Sequence, residues 1–160
     1  INKYKFQNIA IIDFDVHHGN GTQDIFYSNS KVSYYSTHQY PLYPGTGDVN
    51  EIGVGNIVNV PLTSGTNSDQ YQRIFNERIL KKLEEQRPDF LLISAGFDAH
   101  TEDPLASLDL VENDFRLITS KLREIANKYC DGKIISMLEG GYDIKALENS
   151  MIIHLSELQK

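Results

Sequence analysis

Tryptophan is absent from this chain, cysteine occurs once and methionine twice. The lone Cys130 excludes an internal disulfide framework, so the fold must rest on its core, and a reducing cytoplasm is the expected setting. No apolar run approaches the roughly 18 residues of a membrane span. The opening Ile1-Asn2-Lys3-Tyr4-Lys5-Phe6 has no signal-peptide h-region. An excess of positive charge is missing as well: 15 Lys and Arg against 22 Asp and Glu give a formal net charge of −7. That balance argues against direct binding to nucleic acid or an anionic membrane, and leaves an acidic surface suited to a cationic substrate. Repeats, low-complexity tracts and linkers are also lacking, so the 160 residues read as part of one domain of ordinary composition, 40% hydrophobic and 23% charged. The first residue is Ile rather than Met, as in a chain that begins inside a longer protein.

What is present is concentrated in one stretch, Ile9-Ala-Ile-Ile-Asp-Phe-Asp-Val-His-His-Gly19, where an apolar strand pattern runs out into two carboxylates and two imidazoles. Alternation along an extended strand puts Asp13, Asp15 and His17 on one side. Carboxylates at the end of a buried strand are costly unless a positive group meets them, and a cation is the simplest one. An Asp and His two residues apart supply two of the three protein ligands that an open catalytic zinc site needs. His18 points the other way and reads as a hydrogen-bonded structural histidine. His100 and His154 read as a loop and a helix histidine.

The rest of the chain alternates strand and helix. Strands are expected over 8–16, 32–37, 57–61, 90–95 and 133–138, with the first apolar at nearly every position, as a strand covered on both faces is. A short helix capped by Thr22 is expected over 22–27. A longer one capped by Ser68 or Asp69 should bury Tyr71, Ile74, Phe75, Ile79 and Leu83 and stop before Pro88. A helix over 112–129 should bury Phe115, Ile118, Leu122 and Ile125, although Val111 stands where a hydroxyl cap is usual. A last helix capped by Asp143 should present Leu147, Met151, Leu155 and Leu158. Helical crossovers between the later strands imply a parallel α/β sheet, whose ligands sit beyond the carboxyl ends of the strands. Three polar clusters fall at such ends: Asp15/His17, Asp98 and Tyr142. The Pro- and Gly-rich loop 40–48 reads either as a plain connection or as a wall beside the site. Asp98 would complete a set of two carboxylates and one imidazole, and Tyr142, on the Gly140-Gly141 turn, suits a donor to an oxyanion.

Asp13-Phe-Asp-Val-His-His-Gly-Asn-Gly21, Tyr43-Pro-Gly-Thr-Gly-Asp48, Ser94-Ala-Gly-Phe-Asp-Ala-His100 with Asp103-Pro-Leu105, and Leu138-Glu-Gly-Gly-Tyr142 together resemble the histone deacetylase family. The variant is the class II type that includes bacterial histone deacetylase-like and acetylpolyamine amidohydrolases. The resemblance spans nearly the whole chain and implies the C-terminal part of an arginase/deacetylase-like three-layer α/β domain lacking its N-terminal part. It implies zinc on Asp15, His17 and Asp98, and Tyr142 as the oxyanion donor. It implies a structural potassium on main-chain oxygens of Asp13, Asp15 and His17 with Ser36 and Thr37. A second potassium would fall on the carbonyls around Phe26, Asn29 and Val32. Phe97, His38 and Gly140 would line the substrate passage. Family members carry a tandem histidine pair, general base and acid, upstream of the first zinc ligand, before this chain begins; Asp13 would support one of them and Asn20 face the other. The resemblance thus implies hydrolysis of an acetylated amine, acetyl-lysine or an acetylpolyamine, with the upstream half or another chain as partner. The alternative is a metal-binding fragment without catalysis of its own. A binuclear manganese hydrolase of the arginase kind would need more bridging carboxylates than are present. A half-sheet also predicts exposed apolar surface and self-association.

Overall fold

β1 (Ile9–Asp13) is buried at each of its five positions, as a strand flanked on both edges and both faces must be. The computed structural model describes residues 1 and 3–160. β1 is followed by α1 (Asn20–Phe26), β2 (Val32–Gln39), β3 (Ile57–Leu62), α2 (Ser68–Ile74), a π-helical stretch (Phe75–Leu80), α3 (Lys81–Gln86), β4 (Phe90–Ala95), α4 (Glu112–Tyr129), β5 (Ile134–Leu138) and α5 (Ile144–Leu158). The strands form one sheet in the order β3-β2-β1-β4-β5. All four pairings are parallel, with Asp13 opposite Ser36 on one side and Ser94 on the other. The chain winds outward from β1 in one direction, then crosses back to β4 on its other edge. That reversal places a crevice at the carboxyl ends of β1 and β4, where open α/β sheets take their ligands.

One face of the sheet carries the larger core. Ile12, Phe14, Leu91, Ile93, Phe97, Phe115, Ile118 and Leu122 belong to it, together with Tyr71, Phe75, Ile79 and Leu83 from the helical run 68–86. On the other face Ile9, Ile11, Val32, Tyr34 and Ile57 pack with Phe6 and Phe26. Toward β5 this second face is uncovered and Ile135 and Met137 are exposed, as is Leu138 on the opposite side at the strand's end. The expected α/β class, five strands and long helices are found, but β1 ends at Asp13 rather than at residue 16, so Asp15 and His17 lie on the bend beyond it and not on an extended strand. β2 and β3 are joined by the structured loop 40–56 rather than by a helix.

Several local expectations are corrected. Thr22 does not cap α1; the helix starts at Asn20 with Gly19 before it. A glycine is needed there because a Cβ would stand 2.5 Å from the Tyr34 hydroxyl oxygen. Asn67, not Ser68 or Asp69, caps α2: its side chain accepts from the Gln70 N–H at 3.1 Å and the Gln70 side chain accepts from the Asn67 N–H. Ser68 instead donates to Asp114 across the helix pair. At α4 the missing hydroxyl cap is replaced by Asp114, which accepts from the Val111 N–H.

Of the apolar residues expected on the inner side of α5, Leu147, Met151 and Leu158 pack against the main core and Leu155 does not. Asp143 caps it through the Ala146 N–H as expected, but the buried side is Ala146, Ser150, His154 and Glu157, while Leu155 is exposed. The reason is His154, whose Nδ1 lies 2.6 Å from the Thr119 hydroxyl of α4 and whose Nε2 lies 2.8 Å from the Ser136 hydroxyl of β5. Burial pushes its pKa down to about 4 from 6.5. The unfolded chain therefore takes the proton first as pH falls, and the stability held by neutral His154 is present above about 6.5 and lost on the way to about 4. Between about pH 7 and about pH 5 the parent should lose about 2 kcal/mol more than His154→Gln in urea melts. Parallel pH profiles for the two proteins would refute this. Asp13, raised by burial to about 8, titrates with the opposite sign but is common to both proteins and cancels.

Candidate metal centre

Asp13 ends β1, and the chain beyond it turns so that Asp15, His17 and, from the end of β4, Asp98 meet. Their ligand atoms lie within 4.8 Å of one another. His17 Nδ1 is 3.2 Å from Asp15 Oδ1 and 3.0 Å from Asp98 Oδ2. The remaining oxygens are fixed by main chain: Asp98 Oδ1 accepts the Val16 N–H at 2.8 Å, and Asp15 Oδ2 accepts the Gly140 N–H at 2.8 Å. The chain after β1 thus braces the carboxylate after β4, and the chain after β5 braces the one after β1. Gly140 lies so close that no side chain fits there, since a Cβ would overlap Asp98 Oδ2 and stand 2.6 Å from Asp15 Oδ2.

The electrostatics call for a cation. Burial, and after it the nearby Asp98 carboxylate, raises Asp15 to about 6. His17 is raised by its hydrogen bond to Asp98 against the opposing effect of burial. A proton on Nδ1 between two carboxylates occupies the place a divalent ion would take, and a bound ion reverses this titration logic. Two carboxylates braced by main chain and one imidazole, with Asp15 and His17 facing a cavity, fit an open three-ligand transition-metal site. Among the described residues this is the single such group, which lacks the extra bridging carboxylates of a binuclear centre.

Asp13 is buried beside the centre, and burial raises it to about 8. It accepts from the Tyr34 hydroxyl at 2.8 Å and from the Asp15 N–H at 3.1 Å. The cavity above, about 670 Å³, is lined by Asp13, Asp15, His17, Gly140 and Tyr142, with Leu42, Tyr43 and Leu105 on its sides. The loop 40–48 is therefore a wall of this cavity, through Leu42 and Tyr43. Tyr142 is half exposed, and burial followed by the charges of Asp98, Asp15 and Asp103 raises its pKa. Its backbone is anchored by Asp103, whose Oδ2 accepts the Tyr142 N–H at 2.8 Å while Oδ1 accepts the Leu105 N–H at 2.9 Å. One buried carboxylate thus fixes two cavity walls, a role its Asp-Pro-Leu context did not disclose.

Other expected residues fall elsewhere. Phe97 is 1% exposed and packs edge-on to Phe14 and Phe115 behind the ligands, not along the cavity. His38 is fully buried under the 45–48 loop, between the Ser36 hydroxyl and the Gly47 carbonyl, so it too is no lining residue. His18 is structural as expected, bonded to Thr46 and Gln23. Asn20 stands exposed at the start of α1 and does not line the cavity. Ser36 and Thr37 are buried at the end of β2 beside Asp13; their hydroxyls are bonded to His38 and Tyr71.

A parallel α/β sheet with a three-donor O,O,N centre at its switch point defines a metal-site protein of the arginase/deacetylase fold. The chain belongs to the histone deacetylase family, whose domain model, "Histone deacetylase domain", matches residues 1–158. It is 44% identical over 147 residues to a probable deacetylase of Archaeoglobus fulgidus, covering 89% of this chain and 41% of that protein. It is 38% identical over 145 residues to a histone deacetylase-like amidohydrolase of Pseudomonas aeruginosa, covering 88% of this chain and 38% of that protein. Among solved structures, the HDA15 HD domain superposes with a TM-score of 0.90 at 36% identity, over 99% of this chain and 47% of its own. The chain spans less than half the length of each of these relatives.

Proposed function

We propose that this chain is the C-terminal, ligand-bearing part of a zinc-dependent deacetylase that hydrolyses an acetylated amine, acetyl-lysine or an acetylpolyamine. The carrying observation is the convergence of Asp15, His17 and the fully buried Asp98 beside a cavity that Asp15, His17 and Tyr142 line. Zinc held by these three residues would supply Lewis acidity toward the acetyl carbonyl and toward water. The Tyr142 phenol donates a hydrogen bond to the oxyanion as the carbonyl carbon becomes tetrahedral, and its raised pKa keeps it protonated at neutral pH. Leu42, Tyr43 and Leu105 offer side-chain surface to the alkyl part of the acetylated amine. Asp13, facing the cavity, orients an imidazole brought to it. Potassium on the main-chain oxygens of Asp13, Asp15 and His17 with Ser36 and Thr37 would offset the carboxylates from behind.

The base and acid come from elsewhere. Of the imidazoles lining the cavity, His17 is a ligand and His18 has both nitrogens engaged. The upstream half of the domain, or another chain, would bring the missing histidines, and the exposed Ile135, Met137 and Leu138 mark where it would dock. Without it the chain binds metal but does not turn over, and it self-associates. A cytoplasmic setting accords with the lone, buried Cys130 and with the lack of any membrane-spanning helix among the described residues; a rice relative is named as chloroplastic. The test is zinc-dependent release of acetate from an acetyl-lysine peptide and from acetylspermidine by the full-length protein. Tyr142→Phe should keep its zinc and slow turnover about a hundredfold. Unchanged turnover in that variant, or full activity after chelation, would remove this reading.

A further inference from the structure

The turn between α1 and β2 points three main-chain oxygens inward, those of Phe26, Asn29 and Val32. They are the carbonyls on which the family resemblance places a second potassium. In this structure they meet a side chain of the protein itself. Asn56 Nδ2 lies 2.8 Å from the Phe26 oxygen, 3.2 Å from that of Asn29 and 2.8 Å from that of Val32. The amide orientation is fixed by its other end, since Oδ1 accepts the Val54 N–H at 3.1 Å. Flipping it would set an oxygen against three carbonyl oxygens and leave the Val54 N–H facing an NH2 group. The Asn56 main chain is held too, its carbonyl accepting the Tyr34 N–H at 2.9 Å. The group is buried, and Gly53, at φ +58, leaves room for it where a Cβ would come within 2.6 Å of Asn56 Oδ1.

These residues do not fit a potassium ion, because the lone pairs that would bind it already converge on Nδ2. We propose that the Asn56 side chain replaces the second potassium with a donor tethered to the chain. An amide nitrogen with two hydrogens carries only partial positive charge, but it requires no ion to be captured from solution and is present at the effective concentration of a covalent tether. It ties the end of α1, the turn at 29–32 and the start of β3 together whatever the salt. This inference is independent of the deacetylase reading, since it concerns neither zinc nor turnover.

The test uses thallium(I) as a potassium probe. Full-length protein and Asn56→Ala are dialysed to equilibrium against thallium(I) nitrate, with choline nitrate holding ionic strength, and bound thallium is counted by mass spectrometry. Asn56→Ala should bind one ion per chain more than the parent, and its melting temperature should rise more steeply with potassium nitrate than the parent's. Equal counts in the two proteins overturn the proposal. Should Asn56→Ala fail to fold, Asn56→Ser makes the same comparison. If neither folds, the parent's own count decides: no more than one ion per chain supports the replacement, and two overturn it.

Discussion

Replacing Gly140 by alanine should leave a folded protein that no longer retains the zinc proposed for Asp15, His17 and Asp98. The main chain tolerates the change, because Gly140 lies outside the left-handed region that Gly141 approaches at φ +149. The added methyl would overlap Asp98 Oδ2 and come within 2.8 Å of Asp98 Cγ. Asp98 cannot swing aside cheaply: it is fully buried, and its other oxygen is fixed on the Val16 N–H. Moving it withdraws the oxygen nearest His17 Nδ1, and moving the 139–141 turn instead breaks the Gly140 N–H bond to Asp15. Either response costs a ligand. Zinc content of the purified protein should fall to the level of Asp98→Ala, with an unchanged far-ultraviolet spectrum. Stoichiometric zinc in Gly140→Ala would show that the turn is looser than described.

The second large effect is expected behind the site. Phe115 is fully buried and packs against Phe97 at 5.1 Å and Phe14 at 6.1 Å between ring centroids. Phe14 stands between Asp13 and Asp15, and Phe97 immediately precedes Asp98, so this aromatic cluster is the floor under the ligands. Phe115→Ala should cost about 3–5 kcal/mol by loss of burial and an unfilled cavity. In a domain of this size that lowers the melting temperature by about 10 °C. Zinc affinity should fall with it, because slack under Phe14 and Phe97 reaches the ligand positions on either strand end. A Phe115→Ala protein melting within a degree or two of the parent would mean that the core closes over the gap.

The cluster of candidate ligands was legible in the sequence because each member follows an apolar strand directly: Asp15 and His17 after Ile9–Asp13, Asp98 after Phe90–Ala95. Burial on both faces forces that composition, and a charge at its end stands out. Phe97 and His38 were misplaced for the complementary reason. Their nearness to motif residues in sequence says nothing of which side of the sheet they take, and the structure turns both into the interior. The anchoring by Asp103 and the partnership of Asn56 with Phe26, Asn29 and Val32 join residues 39 and 24 to 30 positions apart, through atoms that carry no pattern in sequence. The outward turn of Leu155 was hidden likewise. The period of α5 is apolar, but a histidine bonded on both sides outweighs one leucine in setting the rotation of the helix.

The two main-chain braces at the metal centre carry a further consequence. The N–H groups of Val16 and Gly140 each end on a ligand carboxylate, and they belong to different strands' ends. Charge drawn from those oxygens toward a bound ion is felt by both protons, so their nuclear shifts and solvent-exchange rates become gauges of occupancy. Gly140 is two peptide bonds from Tyr142. The same turn that carries this N–H therefore also carries the phenol that lines the cavity.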